Sequence, residues 1–454
     1  MGALPLCGCS LLIGDIDFAS AGEDAGTDAD AGQPDAGMDG ATIDPDGGED
    51  AGIDGSMECA PLAEVCDGLD NDCDGAVDEG LVGVLGSPIS VDADPLGFGS
   101  NAFVDVAALD DGFAIAWHVA SEAVIRVAVF NAAGTRENED SITGGTGQPL
   151  RQARLAVLRT GAIEQVAVVY VQGSQIWLQM YNSAGTRTGP ATMLTTFTDA
   201  GLGPDVLELA AVDDSVILGV TGDQGAGDLP ITLVRFTPSS GDTQYAQVFP
   251  DHIGQFATSA GTLLAATDPD RQGDPVIRRH DPVTLELLGN DVWNYSGRCD
   301  SAATTCEALI ALHPASDANP TRVVIEETIA QLVGGVFSAS YCLFVGEMEN
   351  GFSPLTTVGN CIARPSATYG IATRSGVAGV VVGLGSMGDP PFAYLEISTT
   401  DGGEGAGPIE LSDFAPLLAP KGHVLAARGT RAYLIGQLAG GGTGSIRAWR
   451  LGCE

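Results

Sequence analysis

From about residue 82 to the C-terminus the chain consists of short apolar runs of alternating pattern, parted by Gly, Asp, Asn and Ser. Phe113-Ala114-Ile115-Ala116-Trp117, entered through Asp110-Asp111-Gly112, is representative. Successive side chains of a strand point to opposite faces, so this texture predicts strands joined by turns. The spacing expected of an amphipathic helix is nearly absent, and the fold class read from the pattern is all-β.

The pattern also repeats. Val127-Ala128-Val129-Phe130-Asn131-Ala132-Ala133-Gly134-Thr135-Arg136 recurs as Trp177-Leu178-Gln179-Met180-Tyr181-Asn182-Ser183-Ala184-Gly185-Thr186-Arg187, a displacement of 51 residues. A third copy runs through Leu233-Val234-Arg235-Phe236 before Gly241, and fainter ones end near His280, Val345, Ile397 and Leu451. Each copy reads as a strand entering a turn that needs glycine. Units of about 50 residues, repeated about seven times, predict a β-propeller over residues 82–454, with six or eight blades as neighbouring solutions. Tandem β-sandwiches are the alternative, since they share the strand texture without a sustained period. Copies after Asp251 are degenerate, and Asn290 to Pro320 fits the period poorly. A ring must tie its two ends together, and Cys453 bridged to Cys59 is one way to do so.

Upstream of this domain the composition changes. Residues 10–56 are dominated by Asp, Ala and Gly and have almost nothing to fill a core after Phe18, so they are expected to form a disordered linker. Like charges extend such a chain. Residues 1–125 hold 27 acidic side chains and no Lys or Arg, out of a net charge of −41 for the whole protein. That charge repels phosphate backbones, so nucleic acid is excluded as a partner. The one lysine, Lys421, lacks the glycine-rich run of a phosphate loop.

At the N-terminus, residues 1–9 read as a truncated signal ending in Leu6-Cys7-Gly8-Cys9, which resembles a bacterial lipobox. The resemblance implies lipidation at Cys9, export, and a lipoprotein attached to the outer membrane or cell surface through the lipid anchor only. Eight further cysteines remain: Cys59, Cys66, Cys73, Cys299, Cys306, Cys342, Cys361 and Cys453. Eight allow four disulfides in 105 pairings, and such pairing belongs to a secreted protein in an oxidising compartment. None has the paired C-x-x-C spacing of a zinc site.

Residues 57–81 carry the sharpest chemical signal. In Glu64-Val65-Cys66-Asp67-Gly68-Leu69-Asp70-Asn71-Asp72-Cys73-Asp74-Gly75-Ala76-Val77-Asp78-Glu79, the carboxylates of Asp70, Asp72 and Asp74 alternate and Gly75 follows. In a calcium loop alternating carboxylates aim oxygen at one centre, and the glycine allows the sharp turn that brings in the next backbone carbonyl, here that of Ala76. An EF-hand would place Glu at the twelfth position, where Leu81 stands, so the loop is not an EF-hand. The spacing is similar to the calcium repeats of thrombospondin type 3, and the whole run closely resembles the MopE-type metal-binding motif of secreted and surface-attached bacterial proteins. The resemblance implies a small disulfide-stapled calcium loop, with Asp70, Asp72, Asp74 and Asp78 as ligands and Asp67 and Glu79 as further candidates. Copper is attached to that family name, but residues 58–80 contain no His or Met to suit a soft metal.

No G-x-S-x-G or H-E-x-x-H spacing marks a catalytic site. His118, His252, His280, His313 and His423 are scattered, and Trp117, Trp177, Trp293 and Trp449 suit blade packing better than sugar stacking. The leading expectation is a monomeric, non-catalytic propeller that binds an extracellular protein or glycan. An extracellular propeller hydrolase or lyase with a dispersed site is the first alternative, and a calcium-dependent structural or adhesive protein the second.

Overall fold

The computed structural model describes residues 82–92, 103–119, 124–145, 150–196, 204–222, 231–248, 252–259, 262–268, 276–292, 308–313, 321–333, 336–348, 368–374, 377–383, 392–398, 409–416, 424–438 and 445–453. Backbone contacts divide the chain into two units, Met1–Ser56 and Met57–Glu454, and every described residue belongs to the second.

These residues form seven antiparallel sheets, taken in chain order as blades 1 to 7. Blade 1 shows the unit: Val104–Leu109, Gly112–Val119, Val124–Asn131 and Arg136–Thr143 pair as a simple up-and-down meander. The first strands of blades 2 to 7 are Leu150–Thr160, Pro204–Val212, His252–Ser259, Ala308–His313, Thr368–Arg374 and Leu425–Arg428. Each first strand touches the first strand of the next blade, and that of blade 7 touches that of blade 1. The contacts close a ring, and the protein is a seven-bladed β-propeller. The segments that recur in the sequence are the third strands of the blades, among them Val124–Asn131, Gln175–Asn182, Ile231–Thr237 and Ile446–Cys453.

Alternation works differently here from the way it works in a sandwich. In Gly112–Val119 both faces are buried: Phe113, Ile115 and Trp117 pack toward blade 7, against Tyr433, Ile435 and Ala448, while Ala114 and Ala116 pack toward blade 2, against Leu155, Val157 and Val166. Large side chains on one face and small ones on the other let successive blades stack closely. The seams between blades 2 and 3, 3 and 4, and 6 and 7 are filled in the same way.

The 51-residue repeat is visible as one turn built twice. Asn131 Oδ1 accepts hydrogen bonds from the backbone N–H of Ala133 (3.1 Å) and Thr135 (3.0 Å), and Asn182 Oδ1 accepts from Ala184 (3.1 Å) and Thr186 (2.8 Å). Gly134 and Gly185 follow at φ +82° and +77°, the left-handed region that glycine enters freely. The arginine that ends each turn reaches back to the preceding blade. Arg187 donates to the Ser141 carbonyl (2.8 Å) and to Asp140, both in the outermost strand of blade 1. Arg136 donates to the carbonyl of Val91 in the same manner.

Val91 belongs to the strand that closes the ring. The outermost strand of blade 7 comes from the N-terminal end of the domain: Val82–Val84 pairs with Leu451 to Cys453, and Ile89–Asp92 with Ile446 to Ala448. Blade 1 therefore grips the incoming N-terminal strand through Arg136, as blade 2 grips the outermost strand of blade 1 through Arg187.

Candidate metal centre

The metal-ligand candidates Asp67, Asp70, Asp72, Asp74, Ala76, Asp78 and Glu79 lie outside the described residues, as do Cys9, Cys59, Cys66, Cys73, Cys299, Cys306 and Cys361. Cys342 lies in the strand Val336–Met348, and Cys453 ends the strand Ile446–Cys453. Val82, three residues after Glu79, is paired with Cys453. The candidate loop therefore feeds directly into the strand that closes the propeller.

That strand is anchored by polar as well as apolar contacts. Val91 is buried in the seam between blades 7 and 1, and Asp92 beside it is 7% exposed. Asp92 Oδ2 accepts a hydrogen bond from Trp117 Nε1 at 3.0 Å and lies 3.4 Å from Arg126 Nη1. The indole has an N–H to satisfy when buried, and the carboxylate, lifted from water, gains a charge-assisted partner. Arg450 adds a further tie by donating from Nη1 to the Ala132 carbonyl at 2.9 Å. On the face bearing the hairpin Asp110-Asp111, Arg428 Nε meets Asp110 Oδ1 at 2.8 Å across the same seam. This hydrogen bond, with the charge of Arg428, holds the exposed Asp110 carboxyl below the usual carboxylate range.

Other buried carboxylates serve the fold in a similar way. Asp105 is fully buried, and its Oδ2 accepts the Leu155 backbone N–H of blade 2 at 2.6 Å, capping a donor on the innermost strand. Glu396, 1% exposed, accepts the Tyr394 hydroxyl at 2.7 Å. Strand periodicity does not mark these groups. Asp105 sits in Val104-Asp105-Val106, where an acid interrupting an apolar run was the available signal.

The histidines remain dispersed. His118 stacks on Phe103 with centroids 5.6 Å apart, and burial lowers its pKa. His252 and His313 fall in the innermost strands of blades 4 and 5, and His423 lies outside the described residues. His280 is 2% exposed between blades 3 and 4, its Nδ1 3.1 Å from the Leu285 carbonyl and its Nε2 buried without a partner. Burial lowers its pKa, against a smaller opposite effect of the Leu285 hydrogen bond and with help from the nearby charge of Arg278. A base whose folded pKa lies below the unfolded value, near 6.5, contributes stability in full above that value. The contribution is lost as pH falls from there through the folded pKa. Urea unfolding of wild type and His280→Gln at pH 7 and pH 5 should show a steeper acid loss in wild type, and equal losses would refute this.

Among the described residues no group of three or more His, Cys, Asp or Glu is placed to hold a metal ion. Trp117 and Trp449 are buried in the seams on either side of blade 7, and Trp177 is partly buried beside the seam between blades 1 and 2. The spacing G-x-G-x-x-G occurs at Gly383-Leu384-Gly385-Ser386-Met387-Gly388, after the strand Val377–Gly383. The strand Phe392–Ser398 then returns antiparallel to it, whereas a dinucleotide fingerprint leads from strand into helix.

Residues 61–79 match a family model described as "Putative metal-binding motif", of the MopE type and named for copper binding. No curated protein matches the chain. Similar solved structures include the polysaccharide lyase Uly1, at 9% identity over 80% of this chain and 92% of that one, with a TM-score of 0.48. The β-propeller domain of the Trilobed protease from Pyrococcus furiosus has 9% identity over 78% and 94%, with a TM-score of 0.46. The α-L-arabinanase of Penicillium chrysogenum has 11% over 81% and 98%, with a TM-score of 0.43. Such likenesses concern the fold alone. The class defined by fold and motif together is a seven-bladed β-propeller that carries a metal-binding motif immediately before its closing strand.

Proposed function

We propose that this is an exported, surface-anchored protein in which a calcium-binding loop is coupled to a propeller that binds an extracellular protein or glycan without catalysis. The observation that carries the calcium assignment is the donor set. Residues 58–79 hold eight carboxylates, and residues 58–80 contain no His or Met. Hard oxygen donors suit calcium, whereas copper sites draw on imidazole, thioether or thiolate, and the sulfurs of Cys59, Cys66 and Cys73 are taken up in disulfides in this reading. Asp70, Asp72, Asp74 and Asp78 supply the carboxylates and Ala76 a carbonyl, with Asp67 and Glu79 completing the shell. Cys9 carries the lipid, residues 10–56 act as a charged spacer, and disulfides among Cys59, Cys66, Cys73, Cys299, Cys306, Cys342, Cys361 and Cys453 staple the exported chain. The protein acts as a monomer attached through its lipid alone. A non-catalytic role is supported by the use of Asp92 and Asp105, which spend their carboxylates on bonds between blades, and of Glu396, which accepts from Tyr394 of its own strand.

The test is calorimetric titration of the oxidised protein with calcium and, separately, with copper. Stoichiometric calcium binding is expected, and the variant D70A/D72A/D74A should abolish it. Because carboxylates bind calcium only when deprotonated, affinity should fall as pH drops toward about 4. Copper binding that outcompetes calcium, or calcium binding indifferent to the three substitutions, would overturn the assignment.

A further inference from the structure

The seam between blades 1 and 2 contains a carboxylate that has no counterpart between blades 3 and 4. Asp140, on the outermost strand of blade 1, is the ladder partner of Val127, accepts the Tyr181 hydroxyl of blade 2 at 2.9 Å and meets Arg187. In blade 3 the third strand is Ile231–Thr237 and the outermost is Asp242–Val248. Leu233 lies four residues before Thr237, as Val127 lies four before Asn131, and its ladder partner is Ala246. Ala246 therefore stands where Asp140 stands in blade 1. Across the seam, His280 replaces Tyr181 in front of the turn of blade 4, and the exposed Glu286 replaces Arg187 five residues after the side chain that caps that turn. Arg235, two residues before Thr237, takes the place of Val129.

Strand register shows which side chains share this seam. Ile231 and Leu233 pack in it, and Arg235 is the next residue on the same face of their strand. Leu263 and Ala265 of blade 4 pack in it too, and their ladder partners are His280 and Arg278. The charge of Arg278 bears directly on the His280 imidazole. His280 Nδ1 lies 3.1 Å from the Leu285 carbonyl, an oxygen that only accepts, so Nδ1 carries the ring proton and Nε2 presents a lone pair. The side chain is 2% exposed, and its Nε2 and the Nε of Arg235 are buried without a hydrogen-bond partner among the described residues. Buried polar groups are ordinarily satisfied, and an acceptor beside a guanidinium calls for a ligand that both donates a proton and carries negative charge. Arg235 is partly exposed and its ladder partner Gln244 fully so, which opens the site at the rim of the ring. We propose that the seam between blades 3 and 4 binds hydrogen phosphate, an oxyanion that keeps an O–H, with its charged oxygens toward Arg235 and Arg278 and its hydroxyl donated to His280 Nε2. Guanidinium groups suit oxyanions in charge and in fork geometry. Between blades 1 and 2 the protein supplies the anion itself, as Asp140, whereas here it comes from outside.

Calorimetric titration of the full chain with phosphate and, separately, with sulfate tests the site. EGTA keeps calcium from reporting on phosphate, and a pH of about 8 keeps the imidazole neutral. Sulfate matches phosphate in shape but has no proton to give, so it should bind at least about tenfold more weakly. Arg235→Met introduces the residue that blade 2 carries at this place, Met180, and should weaken phosphate binding at least about tenfold. His280→Phe introduces the residue of blades 1 and 3, Phe130 and Phe236, and should remove the preference for phosphate over sulfate. Circular dichroism without either anion shows that the variants fold, and Arg235→Gln replaces Arg235→Met if that variant does not. No phosphate binding by the wild type, or wild-type affinity once the Arg235 side chain is replaced, would overturn the site. Equal affinity of the wild type for the two anions would overturn the proton-accepting role of His280 and with it the choice of hydrogen phosphate.

Discussion

Replacing Trp117 with alanine should lower the unfolding free energy by roughly 3–5 kcal/mol, the range for removing a large aromatic from a core. The side chain is fully buried, and it joins three parts of the ring. It grows from the second strand of blade 1, packs in the seam with Ile435 and Ala448 of blade 7, and donates to Asp92 of the closing strand. Alanine would leave a cavity and take one partner from a nearly buried carboxylate. Trp117→Phe keeps most of the apolar volume and removes the hydrogen bond, so its loss should be smaller, about 1–3 kcal/mol. Urea denaturation of the two variants separates packing from hydrogen bonding. A loss below about 1 kcal/mol for Trp117→Ala would show that the seam is not held as described.

Gly112→Ala should be comparably damaging for a different reason, at roughly 3–5 kcal/mol. Gly112 has φ +134°, and a Cβ built there would stand 1.9 Å from the Phe130 carbonyl oxygen and 2.8 Å from Asn131 Cα. Both neighbours are backbone atoms of Val124–Asn131, fixed in its ladder with Gly112–Val119, so neither can swing aside. Gly161, in the corresponding hairpin of blade 2, supplies the contrast. Its φ is +62° and a Cβ there meets nothing within 4 Å, so Gly161→Ala should cost only about 1–2 kcal/mol. Comparing the two by thermal unfolding distinguishes steric collision from backbone preference alone. Equal losses would mean that the collision at Gly112 is relieved elsewhere.

Much of the architecture is legible in the sequence. The copies around Asn131 and Asn182 differ little because each must make the same turn and send an arginine to the preceding blade. The repeat fades where the same job is done by other residues. In blade 4 Asp281 Oδ1 accepts from the backbone N–H of Val283 (2.7 Å) and Thr284 (2.8 Å), as Asn131 and Asn182 accept in their own turns. The left-handed position there is Leu285, at φ +62°, one residue later than the glycine of blades 1 and 2. Leu285 is 1% exposed and fills the seam between blades 3 and 4, where a glycine could not. Blade 5 departs again, with strands Thr321–Val333 and Val336–Met348 of thirteen residues each. A turn signal defined by glycine cannot register the turn of blade 4, and a fixed period cannot register the long strands of blade 5.

The metal-binding motif was legible because its chemistry is local: carboxylates at alternate positions and one glycine converge within a dozen residues, whatever the rest of the chain does. The buried acids were not. Nothing near Asp92 in the sequence announces an indole 25 residues away, and nothing near Asp105 announces the Leu155 N–H of the next blade.

Strand texture, the repeat, the acidic N-terminal segment and the metal-binding motif were thus determined by sequence alone, because alternation, turn chemistry and charge act over a few residues. Tertiary structure alone decided which strand closes the ring, which face of each blade takes the large side chains, and where the buried carboxylates find donors. Those choices depend on partners far apart in the chain. Val82 meets Cys453 only once seven blades have stacked and brought the two ends of the domain side by side.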